Sequence, residues 1–223
     1  MTGFPNSPKL ARGGLIVMDP VTGAVRRIIA LQYNADTVTR TLQVHGVGAE
    51  SGDRMEALRL KGPPTETIKL EAELDATDQL EFPDQQQNAA VAASGLHPAL
   101  AALETLIYPT AQELLGHDLL ARQGAIEIAP LEAPLTLLVW GRNRIVPVRV
   151  TEFSITEEAF DSSLNPTRAK ISLGVRVLSV DDVGFAHRAG ALYMLYQQRK
   201  EKFALDVPGS TLAALGLTSV PGT

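Results

Sequence analysis

One strand-like segment, IVPVRVTEFSI (Ile145–Ile155), restricts the fold more than any other part of the sequence. Its apolar residues occupy even-numbered positions up to Val150 and odd-numbered positions from Phe153 onward. Because side chains on a strand alternate strictly between two faces, one apolar face can hold both sets only if an extra residue is inserted between them. The sequence therefore predicts a bulge, or a switch between sheets, near Thr151–Glu152.

Other segments alternate in the same way and predict further strands. Thr67–Leu74 (TIKLEAEL) and Arg168–Val177 (RAKISLGVRV) each place aliphatic residues on one face and mostly polar residues on the other. The shorter apolar runs Gly14–Asp19 (GLIVMD) and Leu135–Trp140 (LTLLVW) are followed by turn-forming residues. We therefore expect antiparallel hairpins with one face against a core and one face toward water.

Helical spacing occurs in two regions. Leucines recur at this spacing over His97–Tyr108, and Thr110 and Glu113 have the spacing of a capping box that opens a second helix ending before Gly124. A terminal helix is predicted to begin at Asp181–Asp182, which would cap it. The predicted apolar face of the terminal helix consists of Phe185, Ala189, Leu192, Tyr196 and Phe203.

These elements predict an α+β chain with one main domain. Residues 1–13 form a lead-in, and residues 14–180 form a β domain with an inserted helical segment at 96–122. Residues 181–205 form the C-terminal helix, and residues 206–223 form a flexible or docking tail.

The composition excludes several kinds of function. A chain of 223 residues with 45% hydrophobic content can bury a substantial core. Its formal net charge is -5, and its 20 basic residues are spread along the chain, so nucleic-acid binding is not expected. The absence of cysteine excludes disulfides and thiolate metal sites. No segment has the pattern of a signal peptide or the length of a membrane helix, which predicts a chain synthesised in the cytoplasm.

No spacing in the sequence predicts catalysis. Adjacent Glu157 and Glu158 would point to opposite faces of a strand, and Gly46–Gly52 lacks the spacing of a nucleotide-binding loop. We predict no catalytic, cofactor-binding or metal-binding residues, and therefore no enzyme, although an unrecognised enzyme could bring Asp181 and His187 together with a nucleophile. The widely separated histidines are His45, His97, His117 and His187.

The single tryptophan, Trp140, stands next to Gly141 and follows a run of aliphatic residues. Large aromatic side chains in such a setting are usually buried, so we predict that Trp140 is a core anchor. A carbohydrate-binding β-sandwich would instead need an exposed aromatic platform, and that alternative remains open.

Six segments occur in an order that matches a known family. They are GLIVMD, LQYNADTVTRTL around Asn34, Lys61–Asp78, Gly95–Pro109, Pro134–Phe160 and Asp161–Val177. Over most of residues 14–180 the chain resembles the tube proteins of contractile injection systems, which are phage-tail-like machines. Within that family it resembles the adaptor that joins the inner tube to the spike hub. It differs in having Ala35 where the family usually has proline, and in lacking the C-terminal peptidoglycan-binding LysM module of many members.

The resemblance implies an antiparallel, β-barrel-like fold of two sheets with a flanking helix. It also implies a non-enzymatic structural subunit without a cofactor, which forms a homohexameric ring whose polar strands line a channel. The partners would be further copies of the chain, inner-tube subunits, the spike hub and other baseplate proteins, and the subunit would be incorporated into an injection particle. A repeating inner-tube subunit is the alternative within the same family.

The resemblance further implies which residues would meet other subunits. The connection Glu157–Thr167 would stack on the next ring, and the last strand of the β domain would turn its polar face to the channel or to a neighbouring subunit. The candidate stacking residues are Phe160, Asp161, Leu164, Asn165 and Arg168. The candidate channel-facing or neighbour-facing residues are Lys170, Ser172 and Arg176.

Overall fold

A computed structural model describes residues 11–46, 59–123, 133–209 and 211–221. Its strands are β1 (Gly14–Met18), β2 (Val25–Ala30), β3 (Val38–Gln43), β4 (Thr65–Asp75), β5 (Leu135–Val139), β6 (Ile145–Phe160) and β7 (Pro166–Val177). Its helices are α1 (Thr77–Leu80), α2 (Ala89–Ser94), α3 (His97–Glu104), α4 (Ala111–Arg122), α5 (Val180–Val183) and α6 (Arg188–Leu205). Short 3-10 helices cover Gln86–Asn88 and Leu212–Leu215.

The strands form one antiparallel seven-stranded sheet in the order β2-β1-β5-β6-β7-β4-β3. β2 and β3 are consecutive in the chain and nevertheless occupy the two opposite edges, joined by residues 31–37. The α+β class is thus confirmed. In the described part of the chain no strand pairing joins β2 to β3, so the sheet is open, and the predicted barrel-like arrangement of two sheets is not confirmed.

The connection between the two edges is held by side-chain amides. Gln32 donates to the carbonyl of Asp75 at 2.6 Å and accepts from its amide at 2.9 Å, as a neighbouring strand would. Asn34 accepts from the amide of Gly13 at 2.7 Å and donates to the carbonyl of Ala11 at 3.0 Å. These bonds fix the path between the edges.

The bulge predicted in β6 is confirmed. Val150 lies opposite Val175 and Glu152 lies opposite Gly174, which leaves Thr151 as the inserted residue. Val146 and Val148 belong to the main core before the bulge, and Phe153 and Ile155 pack against that same core after it. One inserted residue therefore keeps the whole apolar set of this long strand on one face, as the change of parity requires.

The main core joins the inner face of the sheet to α3 and α6. The alternation predicted for β4 and β7 is confirmed, because their aliphatic residues are buried and most of the intervening polar residues are exposed. Four leucines of the first helical region, Leu96, Leu100, Leu103 and Leu106, are also buried. That helix ends at Glu104, earlier than predicted, and Leu106 lies in the turn that follows.

The predicted terminal helix is two helices. Gly184, with φ 77°, ends α5, and α6 begins only at Arg188 after the N-cap His187. The predicted apolar face is correspondingly wrong in part, because Phe185 precedes α6 and is exposed, and Phe203 is exposed near its end. The buried residues of α6 are Ala189, Gly190, Tyr193 and Tyr196.

The sequence predicted a loop at 46–62. Residues 47–58 of it, which include all of the Gly46–Gly52 stretch except Gly46, lie outside the described residues. The capping box of α4 is present, since Thr110 accepts from the amide of Glu113 while Glu113 accepts from the amide of Thr110. α4 ends at Arg122, and Gly124 lies outside the described residues.

Candidate assembly surfaces

The hairpin formed by β6 and β7 ends in a compact loop at Asp161–Asn165, which is shorter than the predicted connection Glu157–Thr167, because β6 continues to Phe160 and β7 begins at Pro166. The carboxylate of Asp161 accepts from the amides of Ser163 at 2.7 Å and Asn165 at 2.9 Å, and also from the side-chain amide of Asn165 at 2.9 Å. The hydrogen bonds from the side chain and backbone of Asn165 lower the pKa of Asp161. The carboxylate is therefore ionised at neutral pH and holds the loop in one shape.

Leu164 occupies the tip of this loop in an unfavourable conformation. Its φ is 64°, in the left-handed region, and its relative exposure is 78%. A leucine in this region is strained because its Cβ crowds the backbone. Phe160, at the base of the loop, is exposed as well. The hairpin thus presents two apolar side chains to solvent on a rigid support.

We expect the substitution Leu164→Gly to raise the free energy of unfolding by about 1 kcal/mol, because glycine adopts the left-handed region without a Cβ clash. Leu164→Ala is the matched control, since it removes the same apolar side chain and keeps the strain; its effect should stay within about 0.5 kcal/mol. Urea denaturation measures both changes. A glycine variant no more stable than the alanine variant would show that the loop stores no strain.

The polar face of β7 carries basic residues that already have acidic partners. Arg168 Nη2 lies 2.9 Å from Asp75 Oδ2, and Lys170 Nζ lies 2.8 Å from Glu158 Oε1. Arg176 donates to Asp182 at 2.6 Å. Ser172 is exposed between Lys170 and Gly174. Because such exposed pairs contribute little to stability individually, this face is a mixed-charge surface that remains available to a partner.

Trp140 is partly buried and packs against the main core. Its ring covers Gly13 so closely that a Cβ on that glycine would come within 2.5 Å of it. The ring therefore covers the residue that precedes β1, which accounts for its partial burial.

Among the described strands the sheet has two free edges, and both expose apolar side chains. β2 pairs with β1 alone, and β3 pairs with β4 alone, as far as the described residues extend. Ile28 on β2 is 68% exposed, and Val25 on β2 and Leu42 on β3 are also exposed. The sequence pattern did not indicate these edges, because strand order depends on pairings between distant segments.

A buried ionic network ties the β3 edge to the terminal helix. The Glu66 side chain is 3% exposed and accepts from Arg40 Nε at 2.8 Å, Lys200 Nζ at 3.0 Å and Tyr196 Oη at 3.0 Å. Burial alone would raise the pKa of Glu66, but the hydrogen bonds from Lys200 and Arg40 outweigh burial and lower that pKa. Burial and the charge of Glu66 raise the pKa of Tyr196 to about 12, so its hydroxyl remains a donor at neutral pH.

Two of the four histidines, His45 and His187, make hydrogen bonds to nearby groups of the chain. His45 Nε2 lies 2.8 Å from Thr65 Oγ1, and His187 Nδ1 accepts from the amide of Ala189 at 3.1 Å. Within the described ranges, no three side chains of histidine, aspartate or glutamate are arranged to hold a metal ion. Across those same ranges, no helix combines the length and apolarity needed to cross a bilayer.

No family model matches the chain, and no curated protein matches its sequence. Among solved structures, the chain is similar to one in the tail of an empty GTA particle determined by helical refinement with C6 symmetry. The identity is 12%, the match covers 74% of this chain and 90% of that chain, and the TM-score is 0.27. A likeness at this TM-score assigns neither a fold nor a function to this chain.

Proposed function

We propose that this chain is a structural subunit of a phage-tail-like contractile injection system, and that it forms the ring joining the inner tube to the spike hub. The resemblance of six ordered segments to tube proteins motivates the proposal. The structural observation that supports it most is the pair of free sheet edges, β2 and β3. No catalytic step is part of the proposed role.

Two different free edges on one chain favour assembly into a ring. An exposed strand edge has unpaired backbone groups and is a template for pairing with another chain. Pairing β2 of one copy with β3 of the next is a heterologous contact, which closes into a ring when the rotation between copies fits. Closure would cover Ile28 and Leu42, and it would leave no free edge. The resemblance to tube proteins supports a homohexamer as the closed state.

The β6–β7 hairpin is suited to contacts along the axis of such a stack. Its loop is rigid and carries exposed Leu164 and Phe160. We assign the contact with the next ring to this tip, with Asp161 and Asn165 holding its shape and Arg168 at its base. The polar face with Lys170, Ser172 and Arg176 would then line the channel or meet a neighbouring subunit.

The bulge at Thr151 fits the same assignment. It bends and twists β6 between the part that packs in the subunit core and the part that leads to the hairpin tip. A subunit built this way can keep its own core while its hairpin extends toward the adjacent ring.

The number of copies per particle separates the adaptor from a repeating inner-tube subunit. An affinity tag on this chain allows whole particles to be purified from the native host, and quantitative mass spectrometry then counts each subunit. We expect the copies of this chain to equal one ring, far fewer than the copies of the main tube subunit. A copy number that grows with tube length would replace the adaptor assignment by the repeating-subunit alternative.

A further inference from the structure

Helix α4 is not covered by any part of its own described chain. It has 12 residues, and none of them is buried. Its four leucines, Leu114, Leu115, Leu119 and Leu120, are between 48% and 70% exposed. Isolated helices shorter than about 12–15 residues are marginal in water, and the internal Gly116 weakens this one further. The capping box alone does not compensate, so α4 needs apolar contacts from elsewhere.

An apolar groove lies near the N-terminus of α4. It has a volume of about 540 Å³ and is lined by Leu106, Ile107, Leu135, Val148, Val150 and Val183. Leu106 and Ile107 also line a second hollow that reaches Thr110 and Glu113, where α4 begins. The helix is about 18 Å long, and none of its leucines lines the groove of its own chain.

The groove contains a cation that has no counter-ion among the described residues. Arg149 lines it and is exposed. In the strand register Arg149 lies directly opposite Arg176, a like-charge pair that is unfavourable between neighbouring strands. Asp182 pairs with Arg176, whereas Arg149 has no ion-pair partner among the residues that the structure describes. An acidic segment of another molecule would supply one.

We propose that α4 of one copy docks in this groove on the next copy of the chain, a contact that rests on the proposed ring. α4 provides four exposed leucines to the apolar groove, and it carries Glu113 and Asp118 against one arginine, Arg122, which pairs with Asp118 at 2.7 Å. The remaining negative charge, that of Glu113, matches Arg149, which has no ion-pair partner in the described part of the chain. Helix and groove are different surfaces of one chain, so the contact is heterologous and repeats from copy to copy around a ring.

Disulfide trapping suits this contact because the chain has no cysteine, so no native thiol can form a competing disulfide. One variant carries Leu119→Cys on α4, and a second carries Ala133→Cys at the exposed rim of the groove. The two variants are mixed, allowed to assemble and oxidised. A disulfide between different variants can form only between copies. The matched control replaces Ala133→Cys by Leu195→Cys, an exposed leucine on α6 outside the groove.

We expect the Leu119→Cys and Ala133→Cys mixture to give roughly tenfold more mixed dimer than the control mixture, because docking raises the local concentration of the two thiols. Leu115→Glu, added to the Leu119→Cys chain, should abolish that excess. Rings seen by electron microscopy without the excess would overturn the α4 contact and leave the ring proposal standing. An equal yield in both mixtures without any rings would also overturn the contact. The excess without rings would support the contact and count against the ring.

Discussion

Replacing Glu66 by alanine is expected to lower the free energy of unfolding by about 3 kcal/mol, the lower part of the range for breaking a buried ion pair. The Glu66 side chain is 3% exposed, whereas those of Arg40 and Lys200 are 29% and 31% exposed. Removing the carboxylate takes one acceptor from Arg40, from Lys200 and from the Tyr196 hydroxyl, and Arg40 keeps its bond to that hydroxyl at 3.0 Å. The partial exposure of the cations lets water replace some of the loss, which is why the expected cost lies at the lower end. Urea denaturation at neutral pH measures it.

The matched control for this change is Glu71→Ala, which removes an exposed glutamate from the same strand and should change stability by no more than about 0.5 kcal/mol. Acid titration gives a second check. Because the folded pKa of Glu66 lies below its ordinary value, its contribution is complete above that ordinary value and is lost as the pH falls through the folded pKa. The difference between wild type and Glu66→Ala should therefore shrink in acid. Equal losses for the two alanine variants would show that the network does not hold the fold.

The substitution Ile28→Lys is expected to reduce incorporation of this chain into particles by roughly tenfold or more, since burying one unpaired charge at a contact costs more than the 1.4 kcal/mol that this factor represents. Ile28 is 68% exposed in the isolated chain, so the folded monomer should be almost unaffected. The measurement is the ratio of variant to wild-type chain in particles purified from cells that express both.

Val21→Lys provides the control, because Val21 is exposed in the turn between β1 and β2 and lies outside the edge strand. It adds the same charge a few residues away and should be incorporated like wild type. If Ile28→Lys enters particles as readily as Val21→Lys, the β2 edge does not take part in assembly.

The local parts of the fold were readable from the sequence because each depends on residues close together in the chain. Strict alternation indicated β4 and β7, and the change of parity after Val150 indicated the bulge in β6. The capping box of α4 was equally local. The terminal helix was misjudged because its apolar spacing was read from Phe185 onward, whereas Gly184 has a positive φ and the helix begins only after the extended N-cap His187.

The non-local features could not be read in this way. Glu66 is even-numbered, like the buried residues of β4, so alternation places it on the buried face. Its partner Lys200 is 134 residues away, and the alternation of β4 does not link the two residues. The positions of β2 and β3 at opposite edges depend on strand pairings across the whole chain. The exposure of the leucines of α4 depends on how distant segments pack, and the capping box that indicated the helix says nothing about it.

Cryo-electron microscopy of particles purified through an affinity tag on this chain tests the proposed role most directly. We expect density for one ring of this subunit between the spike hub and the stacked tube rings. In that density β2 of each copy should meet β3 of the next, and the tip at Leu164 should contact the adjacent ring. Recovery of the chain only as a free monomer, or within an unrelated complex, would contradict the proposal.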